Sequence, residues 1–484
     1  MKAPIETLRA IQLWLTISAL ILAPFFFGSV DLIWVSVWTI VLSTGALFGA
    51  NTPFGVAQTR IILAFFLLCF AYAAVAAVQI TPHLIDRLDD PVWQRANGLL
   101  QFNASPRISN RADITPLATG RFLLLLTSVL GGFIVGTSRR NFDILILFAR
   151  YSILAYSIFG LVALALTPDL LLWTAKRAYL GSFTATFVNH NTAATFVGAG
   201  AILWFCSACL SVQSLQFSSF RLLLLTPSNE HVAFKIMLRL AAGLVCFFAL
   251  LLTGSRGGLI CSCLGLIVAI GLMIANRLKP RFWYAVGAAT LALAIVTIWL
   301  SSMGRIASHG LFDDGRWSVY GFCIEAIRLR PLLGAGAGTF ADLFPSLRTP
   351  DFNSWGVWDY AHSTILEIAV EMGIPIAAMV AVAAAASVMI LMRGAFKHHD
   401  LSRSSLSAIT GIAVLSYLHS TIDFSLQIPG YLVVFGILLG CGLARALSEK
   451  LAPWKKRCRG SFSLSGRQSE RQLGRPCISQ INRE

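Results

Sequence analysis

Residues 313–375 read DDGRWSVYGFCIEAIRLRPLLGAGAGTFADLFPSLRTPDFNSWGVWDYAHSTILEIAVEMGIP. This stretch is the one long polar segment in the second half of an otherwise apolar sequence. It contains Arg316, His362 and three tryptophans, Trp317, Trp355 and Trp358. Residues 363–392 are then apolar over about the length of a full membrane crossing. This arrangement predicts a functional site where a polar loop meets a membrane span.

The composition indicates a membrane protein. Of the 484 residues, 56% are hydrophobic and only 12% are charged, about half the charged fraction of a typical soluble domain. The net charge of +16 does not indicate nucleic-acid binding, because the basic residues separate apolar runs and fill the C-terminal tail. Most of the ten cysteines lie inside apolar segments, and none has a Cys or His partner at metal-ligand spacing.

Twelve apolar runs of spanning length predict an all-α polytopic membrane protein with about 12 transmembrane helices. The runs are 11–29, 32–50, 61–81, 118–138, 142–166, 191–211, 236–253, 258–276, 282–300, 363–392, 405–422 and 428–447. They predict a membrane domain over residues 1–447 and a basic, disordered tail over 448–484 that is attracted to anionic lipid.

Loop charges predict the orientation. Arginines and lysines concentrate in the even-numbered connections, for example at Arg139, Arg140 and Arg393. By the positive-inside rule, both termini are then cytoplasmic, and the first run is a retained anchor. Residues 82–116, 167–190 and 301–361 face the outside, and the first of these segments either caps a cavity or is an inert loop.

The large outer loop, residues 301–361, is expected to contain an amphipathic helix. Trp317, Tyr320, Ile324 and Ile327 recur at helical spacing, with Asp313 or Asp314 as the N-cap and Pro331 just beyond the end. The glycine-rich run Gly334–Gly338 has the features of neither a P-loop nor a dinucleotide-binding turn, and we expect it to end this helix.

Two arginines are candidate anion ligands. Arg256 lies in the motif TGSRGG (253–258) between two apolar runs, where it is either a functional group or an interfacial anchor. Arg316 lies in the first turn of the predicted loop helix. It is either a solvated surface residue or a cation that shares an anion with the helix N-terminus.

His362 is the leading candidate for a general base, because it precedes the tenth span and a neutral imidazole can accept a proton near neutral pH. Its alternative role is that of a helix-end residue bonded to a loop carbonyl. His190 and His309 are its rivals on the same side, and no HExxH or comparable spacing predicts a metal among them. The supporting candidates are Asn189, Asn191, Glu367 and Asp423.

Five motifs in succession resemble the bacterial O-antigen ligase/polymerase family. They are TFVNHNTAA (186–194), TGSRGG (253–258), PLLGAGAG (331–338), AHSTILEIAVEMGIP (361–375) and HSTIDFSLQIP (419–429). The resemblance covers a core of about residues 186–442. Ala337 stands where many members have proline, and Ile376 stands where a second glycine often follows; these departures leave the acceptor type open.

The resemblance implies a metal-independent glycosyltransferase of the bacterial inner membrane that uses no cofactor. Its expected partners are an undecaprenyl-diphosphate-linked glycan donor and an acceptor that is a glycan, lipid A-core or protein. On matching motif positions, Arg256 and Arg316 would bind the diphosphate and His362 would be the catalytic base, with the active face periplasmic. Ligation and polymerisation of O-antigen, lipopolysaccharide or exopolysaccharide, and protein O-glycosylation, are not separated. A transporter or flippase is the alternative class, and it predicts midplane charges and an internal repeat, which are not evident here.

Overall fold

The computed structural model describes residues 2–101, 103–213, 230–275, 314–349 and 358–448, and the chain is helical over most of them. The helices before the long loop are α1 Lys2–Leu22, α2 Leu32–Phe48, α3 Val56–Ile80, α4 Pro91–Leu100, α5 Ile114–Gly136, α6 Arg139–Leu166, α7 His190–Gln213, α8 Glu230–Leu252 and α9 Arg256–Ile274. The later helices are α10 Asp314–Leu329, α11 Phe340–Leu347, α12 Thr364–Lys397, α13 Asp400–Ser420 and α14 Pro429–Ala446. A short antiparallel hairpin lies between α6 and α7, and each of its strands has two residues: β1 Leu170–Leu171 and β2 Thr174–Ala175.

The predicted all-α polytopic class is confirmed. Eight described helices are long and apolar enough to cross a membrane: α3, α5, α6, α7, α8, α9, α12 and α14. The runs predicted at 11–29, 32–50 and 405–422 correspond to α1, α2 and α13, which are not among those eight. The ninth predicted run, 282–300, lies outside the described residues, so the total of about 12 spans stays a prediction.

Helix α14 forms the centre of the bundle, where nearly all of its side chains are buried. It packs most closely against α5, because glycines on both helices leave room for the neighbouring backbone. A Cβ at Gly132 or Gly136 of α5 would collide with the carbonyls of Ile437 or Cys441, and one at Gly440 would collide with that of Val129. Close backbone approach through small residues is a common way to join membrane helices.

The helix predicted in the outer loop is present as α10, and Tyr320 and Ile327 of its predicted apolar face are partly buried. Trp317 and Ile324 are exposed, whereas the face formed by Val319, Cys323 and Ala326 is buried against α11 and the start of α12. Small side chains form this contact because the neighbouring phenylalanines fill the space. Asp314 begins α10, while Asp313, His309 and Trp355 lie outside the described residues.

The glycine-rich turn after α10 is fixed against the membrane domain. The side chain of Gln79 donates to the carbonyls of Leu333 and Glu371 and accepts a hydrogen bond from the N–H of Ala337 at 3.1 Å. Gly334 has a φ of 68°, and any side chain there would collide with the backbone of Glu371. The predicted end of the loop helix is confirmed, and this turn places α10 over the beginning of α12.

Candidate active site

A buried carboxylate lies at the centre of the candidate site. Asp423 follows α13 and has no solvent exposure. Its Oδ2 accepts a hydrogen bond from Asn191 Nδ2 at 2.7 Å, and its Oδ1 accepts one from Ser425 Oγ at 2.9 Å. Asn189 supports this arrangement, because its side chain accepts a hydrogen bond from the N–H of Asn191 at the start of α7. A carboxylate that is held by two neutral donors can stabilise a nearby cation.

His362 lies beside that carboxylate. Its Nδ1 is 4.0 Å from Asp423 Oδ2, and its ring makes edge contacts with Trp358 and Phe424. The backbone of His362 has a φ of 53°, a conformation that residues other than glycine adopt at a cost. Tyr320 of α10 donates a hydrogen bond to its carbonyl at 2.9 Å. The surrounding structure therefore fixes the direction of this imidazole.

Arg316 reaches the same segment from α10. Its Nη1 donates to the carbonyl of Ile422 at 3.2 Å, one residue before Asp423. Tyr179 lies near both of these charges. Burial and the negative charge of Asp423 raise the pKa of the Tyr179 hydroxyl, while the positive charge of Arg316 acts in the opposite direction. Arg316, Asp423 and Tyr179 therefore share one electrostatic environment.

Arg256 is the first residue of α9. Its neighbour Gly257 lies against Ile422, in the segment that contains Asp423. The N-cap is Ser255, whose hydroxyl accepts a hydrogen bond from the N–H of Gly258 at 3.1 Å. A Cβ at Gly257 would lie 2.8 Å from the Ile422 side chain. The Arg256 side chain is half-buried, and within the described ranges it forms neither a hydrogen bond nor an ion pair. Its guanidinium is therefore available to an anion.

His190, the other candidate base within the described residues, has a different environment from His362. His190 Nδ1 is 2.7 Å from the carbonyl of Thr253, and its ring stacks on Tyr179 at 4.1 Å between centroids. These contacts join the start of α7 to the end of α8. His190 therefore has structural contacts of its own, and His309 lies outside the described residues.

A large cavity opens beside His362. It has a volume of about 1880 Å³ and extends along α3, α5, α12 and α14. His362, Asn189 and Glu367 are the predicted residues that line it. The other predicted residues, Arg256, Arg316, Asn191 and Asp423, are not among the described lining residues. The wall is mostly apolar, and its charged groups lie at the His362 end. The cavity can therefore accept an amphiphilic molecule.

Glu367 and Glu371 accept hydrogen bonds from the loop backbone. Glu367 Oε2 accepts from the N–H of Ala361 at 2.7 Å, and Glu371 Oε1 accepts from the N–H of Phe340 at 3.1 Å. Both carboxylates therefore hold the loop backbone around the site. For Glu367, predicted as a supporting residue, this contact lies one residue before the imidazole.

Sequence reasoning missed Arg121. This residue lies on α5, lines the large cavity and is 6.0 Å from the ring centroid of Tyr360. Its charge also lowers the pKa of the partly buried Tyr360 hydroxyl, against the larger, raising effect of desolvation. An arginine inside the apolar run 118–138 was the available signal, because charges within spans usually have a function.

A second polar network behind Asp423 was also missed. The buried His419 has its Nδ1 2.6 Å from Thr195 Oγ1, and Ser425 contacts both residues. Ser425 also donates to Asp423, so the network supports the carboxylate from the side opposite Asn191's amide contact. His419 and Ser425 lie in the motif HSTIDFSLQIP, but their contacts with Thr195 join distant sequence positions and depend on the fold.

A different group of residues has the spacing of metal ligands. His83, Asp86 and Asp89 have ligand atoms within 4.8 Å of one another, and His83 and Asp86 are exposed. They lie in the segment 82–116 and include none of the predicted site residues. Exposed acidic groups of this kind are common without a metal.

Comparison with known families identifies the domain. Residues 241–381 match the Wzy_C family, described as O-Antigen ligase. The chain carries an O-antigen ligase family domain. The matched O-antigen ligase segment contains Arg256, Arg316, His362 and Glu367, whereas Asn191 and Asp423 lie outside it. A comparison with curated proteins gave no match.

The O-antigen ligase match over residues 241–381, together with the apolar helices, indicates a multi-pass membrane protein and suggests glycan ligation or polymerisation in a membrane. It also indicates glycosyltransferase-like chemistry with a lipid-linked glycan and an acceptor as partners.

Proposed function

We propose that the protein transfers a glycan from an undecaprenyl-diphosphate donor to an acceptor hydroxyl at the periplasmic face of the inner membrane. The observation that carries this proposal is convergence on one short segment. Arg316 bonds to the carbonyl of Ile422, the helix that starts with Arg256 contacts the Ile422 side chain, and His362 lies beside Asp423. The family match adds the reaction class.

The proposed reaction exchanges one bond of the anomeric carbon for another and moves one proton. The acceptor oxygen attacks the anomeric carbon of the donor glycan, the bond from that carbon to the diphosphate oxygen breaks, and undecaprenyl diphosphate leaves. The hydroxyl proton passes to the imidazole of His362. The resulting imidazolium is stabilised by the buried carboxylate of Asp423, which lies 4.0 Å from Nδ1.

The two arginines have the charge that the leaving group requires. Negative charge grows on the diphosphate as the glycosidic bond breaks, and guanidinium groups bind phosphate oxygens in a bidentate way while they remain charged. We therefore assign the diphosphate to Arg256 and Arg316, without a metal ion. Binding would exchange the Arg316 contact with a neutral carbonyl for one with an anion.

The cavity beside His362 supports a lipid-linked donor. Its apolar part runs along α3, α5, α12 and α14, and its polar part contains His362 and Arg121. A lipid-linked donor likewise has an apolar part, the polyprenyl chain, and a polar part, the charged headgroup. We assign the chain of the donor to this apolar part, with the headgroup at the His362 end.

The test is transfer by the purified chain in proteoliposomes. The donor is the lipid-linked glycan that accumulates in cells without this protein, and release of undecaprenyl diphosphate is measured together with growth of the acceptor. Arg316→Ala should abolish most transfer, whereas Arg328→Ala should not, because Arg328 is an exposed arginine on the same helix. EDTA should leave the rate unchanged.

Three results would contradict the proposal. They are no accumulation of a lipid-linked glycan, full transfer by both Arg256→Ala and Arg316→Ala, or movement of an intact donor across the bilayer without glycan transfer. The last result would identify a flippase.

A further inference from the structure

A second cavity lies at the opposite end of the helix bundle from His362. It has a volume of about 730 Å³ and is lined by residues of α6, α7, α8 and α13. Helix α13 shows that the two ends are opposite: Ser404 and Ser405 near its start line this cavity, whereas its end leads to Asp423. The loop charges predict that this end is cytoplasmic.

Arginines dominate the polar lining of this second cavity. Arg139, Arg140 and Arg150 come from α6, Arg239 comes from α8, and the acid among the lining residues is Asp143. Arg139 and Arg140 are exposed at the rim. Arg150 lies three turns further along α6, about 16 Å from Arg139 along the helix axis. The positive charge therefore continues from the rim into the depth of the bundle.

The two deep arginines have neutral protein partners. Arg150 Nη1 donates to the hydroxyl of Ser207, and its guanidinium lies 5.3 Å from the ring centroid of Trp204. Arg239 donates to the carbonyl of Ser207 and to the hydroxyl of Ser211. In the part of the chain that the structure describes, neither arginine forms an ion pair, and Arg150 Nε is buried without a hydrogen-bond partner. The two cations thus lie close together with their charge unbalanced.

The chain itself offers little to balance this charge. Residues 214–229, which join α7 to α8, contain no aspartate or glutamate, and neither do residues 276–281 after α9. The tail, residues 448–484, is more basic than acidic. Charges placed inside a membrane bundle require a counter-charge or mark a functional site. Asp143 is one acid among four lining arginines, so an anion from outside the chain would balance the remaining charge.

We propose that this cavity binds the phosphate headgroup of an anionic phospholipid. The guanidinium groups supply bidentate donors for phosphate oxygens. The remaining lining includes Ile146, Leu147, Leu203 and Leu210, which suit the first part of an acyl chain better than a free ion. Basic pockets between membrane helices at the cytoplasmic side are a recurrent lipid-binding arrangement.

The experiment uses the full chain, purified and stripped of lipid in detergent. Phosphatidylglycerol, phosphatidylcholine and inorganic phosphate are added separately. Native mass spectrometry measures binding, and thermal unfolding measures stabilisation. The variants are Arg150→Gln and the rim variant R139Q/R140Q. The matched control is Arg60→Gln, because Arg60 is exposed near the same end of the bundle and does not line the cavity.

Phosphatidylglycerol should bind and stabilise the parent and the Arg60→Gln variant. It should bind about tenfold or more weakly to Arg150→Gln and to the rim variant, because each loses charge-assisted hydrogen bonds to phosphate. If Arg150→Gln does not fold, the exposed rim variant decides the question.

Equal binding of phosphatidylcholine would overturn the proposal, as would unchanged phosphatidylglycerol binding in the rim variant. Full stabilisation by inorganic phosphate alone would also overturn it, because the site would then bind a free ion. None of these measurements depends on glycan transfer, so the result is separate from the outcome for the proposed function.

Discussion

Replacing Asp423 with asparagine removes one buried negative charge and little else. The side chains have the same shape, and the remaining amide oxygen can still accept the hydrogen bond of Asn191. The new amide N–H₂ would face Ser425, whose hydroxyl can accept as well as donate. We therefore expect Asp423→Asn to fold, with a thermal unfolding midpoint close to that of the parent.

The expected loss of activity follows from the 4.0 Å between His362 Nδ1 and Asp423 Oδ2. Two unit charges at this separation attract by about 4 kcal/mol at an effective dielectric constant of about 20. The imidazole is only partly protonated in the transition state, so roughly half of that energy, about 2 kcal/mol, contributes to the rate. Transfer should therefore slow roughly 30-fold.

The assay is the initial rate of glycan transfer in proteoliposomes as a function of pH, with donor binding measured separately. In Asp423→Asn the acidic limb of the rate profile should move to lower pH, because the carboxylate no longer stabilises the imidazolium. Donor binding should stay unchanged. Asp169→Asn, an exposed change in the outer segment 167–190, is the control. An unchanged rate and pH profile in Asp423→Asn would refute the coupling between this carboxylate and His362.

Three further predictions concern the site and its side of the membrane. His362→Ala should lose 10²–10⁴-fold in the chemical step, about the usual contribution of a general base, while it still binds the donor; full turnover would show that His362 only supports the helix end. Arg256→Ala and Arg316→Ala should each weaken donor binding by about 1.5–3 kcal/mol, and lysine should restore only part of it, since an ammonium lacks the bidentate geometry; complete rescue by lysine would contradict that geometry. In intact cells, an impermeant thiol reagent should label Arg107→Cys and not His399→Cys, and the reverse pattern would place the site on the cytoplasmic side.

The helices were predictable to the extent that membrane burial determines them. Apolar runs of spanning length have no alternative to helix inside a bilayer, and eight of them appear as candidate spans. The loop helix α10 was also visible from its spacing, but its buried face was not. Which side of a loop helix is covered depends on the elements that fold against it, and the sequence does not record where α11 and α12 will lie.

The individual residues of the site could be predicted from the sequence, whereas their contacts with one another could not. His362, Arg316 and Asp423 were candidates because each is polar next to an apolar run. The contact between His362 and Asp423 depends on a left-handed backbone at His362 and on the position of α13, and neither follows from local sequence. Arg121 was overlooked because a single charge in a long apolar run changes the average hydropathy very little.

The hydrogen bonds of Gln79 around the glycine-rich turn limit which segments can be exchanged between related proteins. Residues 330–373 look like a self-contained loop with the first turns of the next helix. Gln79 on α3 nevertheless contacts three backbone positions in that stretch. A chimaera that takes only this loop from a relative would place the relative's turn against the Gln79 side chain of this chain. The hydrogen bonds between them need not then form. Loops should therefore be transplanted together with the end of α3.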